Sequence, residues 1–341
     1  MEVIDVRNVH KALPEALYRL RNDGVERESR NGPVTVFPTP VTTVYKEPTE
    51  RVIFWPQRDA NPFFHLFEAL WMLAGRNDVA YPASFVKRMR SFSDDGVTFH
   101  GAYGHRWINH FGFDQLEVIA ARLRANPDDR RNVLAMWDAG EDLGKDGKDL
   151  PCNTHAYFSV TANGKLDMTV CNRSNDLVWG AYGANAVHFS ILQEYMAAAV
   201  GVDVGRYYQV SNNLHAYKDT LDQVAELADQ ADDPLTGSQP SPYEQGIVRP
   251  FPLVSTPIDI WRQDLGVFLS DGPIVGFRDP FFRRVVTPMH AAYRAYKSQD
   301  ADRFNAARDI LTQCKATDWR LAATQWIDRR EKRYLEKKAK S

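Results

Sequence analysis

Apolar residues along the chain recur with different periods, and the periods divide it into elements. "NPFFHLFEALWMLAG" (61–75) is apolar at helical spacing on nearly every side; Asn61 is placed to cap it, Pro62 suits its first turn and Gly75 its end. "NAVHFSILQEYMAAAV" (185–200) has the same period, with Asn185 at its start, and predicts a second helix. "RNVLAMW" (131–137) is an apolar run short enough for a buried strand, and a polar, Gly-rich loop (138–148) follows. Residues 154–172 predict a β-hairpin around Asn163 and Gly164, a two-residue turn signal. "RYYQVSNNLHAY" (206–217) predicts another strand region. Residues 1–22 read as a short helix, 23–60 as turns and strands, and 230–257 as a loop or linker. From Thr287 onward the pattern predicts two or three helices ending in a basic tail, "REKRYLEKKAK".

Composition narrows the function classes. Hydrophobic content of 44% and charged content of 25% are those of a globular protein. A net charge of −2 gives no electrostatic case for nucleic acid or an anionic membrane, so any anion site must be local. The three cysteines, Cys152, Cys171 and Cys314, are odd in number and far apart, which fits a reducing compartment; none has zinc-finger spacing. No apolar run is long enough to span a bilayer and the start carries no signal pattern, so a cytoplasmic protein is expected.

Candidate chemistry starts at Cys152, directly behind Pro151 at a strand start. With Asn163 and Gly164 as the turn, Thr154 faces Arg173 and Cys152 faces the neighbourhood of Asn175. The thiol then meets a fixed cation, which favours thiolate; the other reading is a packed cysteine beside a surface arginine. Ser174, Asn175, Asp176 and Asn185 lie nearby in sequence, Asn185 also reading as a simple helix cap. His215 and Tyr217 share one face of a strand, as a binding pair or as a core pair. Glu68 sits in an otherwise apolar helix; burial would raise its pKa toward neutrality and suit it to moving protons, whereas a wet helix edge would leave it ordinary. Arg30 and the pair Arg130 and Arg131 precede a turn and a strand, where guanidinium forks suit phosphate oxygens.

Together these segments resemble the thymidylate synthase family, which includes the pyrimidine nucleotide hydroxymethylases. The resemblance runs from about Arg30 to Tyr217 through "FEALWMLAG", "HGAYGHRW", "RRNVLAMWD", "LPCNTHAYFSV", "CNRSNDLVWG" and "NNLHAY", in family order. It implies an α+β fold with a large mixed sheet, helices on one side and a dimer partner on the other. With the helical pattern after Thr287, the chain is expected to divide into a catalytic domain (1–285) and an added C-terminal helical extension (286–341) packed on it. The resemblance implies that Cys152 attacks C6 of a pyrimidine ring, with Glu68 and Tyr103 in the proton-moving network. Arg30, Arg173 and Ser174 would hold the 5′-phosphate, joined by Arg130 and Arg131 of the neighbouring subunit in a homodimer with shared sites. Asn185 would read the ring edge, His215 and Tyr217 would bind the 3′-hydroxyl, and Asp176 and Trp71 would meet the folate, 5,10-methylenetetrahydrofolate.

Four departures bear on the product. Asn153 stands where a synthase has histidine; the loop before Asn185, "GAYGAN", is one residue longer; Ala184 is small enough to leave room beside the sugar; and the basic helical end lacks the short apolar segment that closes over folate. A site open to water favours hydroxymethyl over hydride transfer. The expectation is a nucleotide 5-hydroxymethylase, with dUMP favoured by the donor and acceptor of Asn185 and CMP or dCMP possible. The alternatives are a thymidylate synthase with an atypical end and a non-catalytic nucleotide-binding member.

Overall fold

The computed structural model describes residues 1–231, 239–270 and 276–340. The chain forms two compact units, one of residues 1–51 and 67–239, the other of residues 52–66 and 240–341. No helix among the described residues is long and apolar enough to cross a membrane.

The first unit is α+β. Its larger sheet has the strand order β1 (Glu2–Val6), β4 (Val41–Tyr45), β9 (Asp203–Ser211), β7 (Lys165–Asn172), β6 (Asn153–Val160), β5 (Val133–Ala135). It is mixed: β1/β4 and β7/β9 are parallel, the other pairs antiparallel. A smaller sheet runs β2 (Val25–Arg27), β3 (Val34–Val36), β10 (Leu214–Tyr217), β8 (Asn175–Asp176). The predicted Asn185–Val200 helix packs on β7 and β9. Alternate residues of β7 (Leu166, Met168, Val170) are fully buried beneath it, as the period of two requires.

Three local expectations change. The N-terminal segment is a strand, Glu2–Val6, before a helix, Val9–Asp23, because parallel pairing with β4 captures its first residues. The 206–217 region is two strands in different sheets, broken at Asn212 and Asn213, whose backbone groups turn aside to Asn172 and Asn175. The predicted loop 138–148 contains a helical turn, Ala139–Asp142, capped by Asp138. Of the predicted 230–257 loop, residues 232–238 lie outside the described residues.

The hairpin forms, but not in the expected register. Thr161 closes on both Gly164 and Lys165, and Gly164 has φ +72°, so the loop has three residues with glycine at the left-handed position. The ladder beyond it pairs Ala156 with Val170, and a bulge at Thr154 then sets Asn153 opposite Asn172. That bulge forms because the Thr154 carbonyl takes both the Met136 and Trp137 amides. It reverses the strand's parity, turning Asn153 fully inward and re-aiming the residues before it.

The second unit is helical: Ile258–Leu269, Thr287–Lys297, Arg303–Leu311 and Thr317–Lys340. The last three are the helices expected after Thr287. Trp261, Phe282, Met289 and Ile327 are its buried centre, and the unit joins residues 52–66 to those from Pro240 onward.

Candidate active site

Cys152 stands at the mouth of the hairpin, half-buried. After the bulge its facing residue is Arg173, whose backbone amide donates to the Cys152 carbonyl at 2.9 Å. The Arg173 guanidinium donates to the carbonyls of Pro151 at 2.9 Å and Leu150 at 3.2 Å and lies over the Trp137 ring. The arginine thus shapes the loop that presents the thiol. Burial pushes the Cys152 thiol above its ordinary pKa; Arg173 and, less, Arg30 pull it back, while Asp149 and Asp176 add to the rise. The expected lowering by Arg173 is therefore present but outweighed by desolvation.

Tyr103 lies beneath this loop. Its hydroxyl oxygen accepts the Cys152 and Asn153 amides at 3.1 and 3.2 Å, and burial raises its pKa. Gly104 allows this placement: a Cβ there would stand 2.0 Å from the Met72 carbonyl oxygen, on the helix that carries Glu68. The segment is held from behind by Arg106, fully buried, which binds Asp142 and the His100 and Met136 carbonyls.

Asn185 does not cap its helix; it lies inside with helical dihedrals. Its side chain is the middle of an amide chain. Asn153 Nδ2 donates to Asn185 Oδ1 at 3.4 Å, Asn185 Nδ2 donates to Asn175 Oδ1 at 3.0 Å, and Asn175 Nδ2 donates to Ser211 Oγ at 3.2 Å. Asn153 Oδ1 is buried with no hydrogen-bond partner among the described residues. One turn after Asn185, His188 Nε2 lies 3.4 Å from Glu68 Oε2. Glu68 is buried, and desolvation lifts its pKa to about 8, so it is protonated at neutral pH, as the apolar helix predicts.

The smaller sheet brings further expected residues to the same end. Pairing of β10 with β8 sets His215 opposite Asp176; the His215 and Tyr217 rings meet edge to face at 5.3 Å. Ser174 is the half-buried link between Arg173 and β8. The turn carrying Arg30 reaches this group through Asn31, which donates to the Tyr217 hydroxyl, and Arg30 donates to the Gly147 carbonyl. Asp176 Oδ1 accepts the Trp179 amide, and the Trp179 ring is 42% exposed. A carboxylate beside a partly exposed indole fits a flat heterocycle with N–H donors, as a pterin is. Trp71 does not fit that part. It is 3% exposed and gives its indole N–H to Asp78, so its ring has no open face for a cofactor.

Arg130 and Arg131 also stand apart. β5 runs antiparallel to β6 with Val133 opposite Tyr157, so both arginines lie at the end of β6 remote from Cys152. They are exposed, Arg131 pairing with Asp129. Sequence reading missed His188, Trp137 and the buried Asp142. The spacing of His188 three residues after Asn185, on one helix face, was the available signal for the first.

These positions gather a thiol, a guanidinium and a chain of locked amides at the mouth of the hairpin. Residues 15–238 match the family described as thymidylate synthase, and the chain belongs to that family, whose members act on nucleotides with methylenetetrahydrofolate. Over 343 residues it is 60% identical to the deoxyuridylate hydroxymethyltransferase of Pseudomonas phage M6, covering 100% of this chain and 98% of that protein. It is 44% identical over 191 residues to the deoxyuridylate hydroxymethyltransferase of Bacillus phage SP01 (53% of this chain, 50% of that protein). It is 31% identical over 175 residues to the thymidylate synthase of Corynebacterium aurimucosum (48% and 63%).

Proposed function

We propose that the protein hydroxymethylates dUMP at C5, with methylenetetrahydrofolate as one-carbon donor and tetrahydrofolate and 5-hydroxymethyl-dUMP as products. The observation that carries this reading is the convergence of Cys152 and Arg173 with an Asn185 amide locked by two neighbours. Near-complete coverage of the phage M6 protein at 60% identity supports the uracil nucleotide and the hydroxymethyl product.

The Cys152 thiolate adds to C6 and makes C5 nucleophilic, splitting one hard step into two. Methylenetetrahydrofolate supplies the electrophilic methylene. Asn185 presents its remaining donor and acceptor to the uracil edge and stabilises charge developing there. Arg173, Ser174 and Arg30 hold the 5′-phosphate, and His215 and Tyr217 the 3′-hydroxyl. Asp176, with Trp179 beside it, faces the pterin. Glu68, protonated near neutral pH and facing His188, moves protons at the ring. Asn153 Oδ1 offers a buried acceptor beside the nucleophile, where it holds the water that completes the hydroxymethyl group.

Arg130 and Arg131 enter this scheme from a second copy. The outer face of the larger sheet exposes Val133 and Tyr157, each 43%, and stacks His155 on Tyr157, an apolar surface suited to an isologous dimer. The unpaired cysteines fit a reducing cytoplasm.

Incubation with dUMP and methylenetetrahydrofolate tests the reaction. A hydroxymethylated nucleotide without dihydrofolate is expected. Dihydrofolate formed in step with a methylated nucleotide identifies a synthase and rejects this reading.

A further inference from the structure

The second unit contains a cleft that the reaction at Cys152 does not use. Its volume is about 430 Å³, within the size range of small-molecule sites. It opens where the end of the Thr287–Lys297 helix and the start of the Arg303–Leu311 helix face the last turns of the Thr317–Lys340 helix.

Its lining is cationic and aromatic. Lys297, Arg303 and Lys337 line it and have no carboxylate partner among the described residues. Arg333 lines it too, and shares the single carboxylate of Asp59 with Arg329 and Arg330. Three guanidinium groups on one carboxylate leave positive charge in excess. The sequence points the same way: from Val286 to Ser341 there are 13 Lys and Arg against 7 Asp and Glu, in a chain of net charge −2. Arg303 Cζ lies 4.5 Å from the centre of the Tyr334 ring and 4.7 Å from that of Phe304, which holds the guanidinium among aromatic rings where its N–H groups can fork onto phosphate oxygens. Tyr334 is 43% exposed, and Tyr296 forms part of the same wall. A bare phosphate would leave most of this volume and both rings unused.

We propose that this cleft binds a nucleoside di- or triphosphate: the phosphates on Lys297, Arg303, Arg333 and Lys337, the base against Tyr296 and Tyr334. The concave, ligand-sized shape fits a free nucleotide rather than a strand tracked along a charged stripe.

Calorimetry on the full chain tests this with dATP, whose purine is not the substrate of the Cys152 site. One dATP is expected per chain, at least tenfold weaker in the exposed pair Lys297→Glu/Lys337→Glu, with C5 tritium release from dUMP unchanged. Lys337→Ala, measured alone, is expected to weaken dATP in the same direction and provides the test if the double variant misfolds. Absence of dATP binding, or binding untouched by both variants, overturns the proposal. So does inorganic phosphate that binds as tightly as dATP, because the aromatic wall would then be idle. Tighter binding of a ten-nucleotide thymidine oligomer than of dATP also overturns it, in favour of a nucleic-acid surface.

Discussion

Asn185 Nδ2 donates to Asn175 Oδ1 at 3.0 Å, and this bond, with Asn153 on the other side, fixes which way the Asn185 amide points. The far end of the chain is Ser211 Oγ, a hydroxyl that serves as donor or acceptor. An Asn185→Asp side chain is therefore accommodated: Asn175 turns its amide over, Ser211 reverses its role, and both aspartate oxygens accept. The variant is expected to fold, to lose about a hundredfold in kcat/KM for dUMP, and to release tritium from C5 of dCMP, as mispairing of a buried donor and acceptor is costly. A variant that keeps dUMP and ignores dCMP contradicts the role given to Asn185.

Gly180 tests the same bond from its other side. A Cβ there would stand 2.5 Å from Asn175 Oδ1 and 3.3 Å from Asn185 Nδ2, and Asn175 is buried and tied to Ser211. Gly180→Ala is expected to raise the KM for dUMP about tenfold, the worth of one such bond, while iodoacetamide still alkylates Cys152 at the parent rate.

Glu68 gives the pH dependence. Desolvation raises its pKa from an ordinary 4.5 to about 8, so the protonated form prevails at pH 7. If that form moves the proton, kcat/KM falls as pH rises through about 8, and Glu68→Gln removes the fall while lowering the rate about a hundredfold. Stability follows in sign. Between 4.5 and about 8 the native state keeps a proton that the unfolded chain has lost, so stability declines across that window as pH rises. Glu68→Gln is expected to flatten this decline in denaturant titrations at pH 5, 7 and 9.

Much of this site was legible because its residues are chemical exceptions to their surroundings. Glu68 in an apolar helix and Cys152 behind a proline announce themselves whatever the fold. The hairpin was legible in extent but not in register, because the bulge at Thr154 depends on the Met136 and Trp137 amides, from the segment just after β5. The error left the juxtaposition intact: Arg173 faces Cys152 directly. Asn185 read as a cap because its true partners, Asn153 and Asn175, come from other elements. Trp71 was placed at the cofactor by the family resemblance, whereas its burial is set by contacts such as Asp78. The strand at Glu2–Val6 was hidden for a similar reason: only pairing with β4 decides it.

Arg106 explains how a loop-rich segment holds Tyr103 in place. Both it and Asp142 are buried completely. Removing one partner strands the other charge, at a cost of about 3–5 kcal/mol. Arg106→Ala is expected to lower the melting temperature by several degrees or more, and Arg106→Lys to recover little. A single ammonium cannot reach Asp142, the His100 carbonyl and the Met136 carbonyl from one planar fork.

The remoteness of Arg130 and Arg131 from Cys152 within one chain makes the proposed sharing of the site between two copies testable by mixing. Cys152→Ser lacks the nucleophile and Arg130→Glu/Arg131→Glu lacks the phosphate grip, so each alone is expected to be inactive. In a mixed dimer one site draws its thiol from the arginine variant and its arginines from the serine variant, and is intact; the other is doubly defective. Random exchange makes half the dimers mixed, so about a quarter of parent activity should return after the two are unfolded together and refolded. Arginine variants that stay active, or mixtures that recover nothing while each variant folds and dimerises, would place the phosphate grip elsewhere. Tyr157→Asp, on the exposed sheet face, supplies the control: a charge there should abolish the recovery and give monomers in sedimentation.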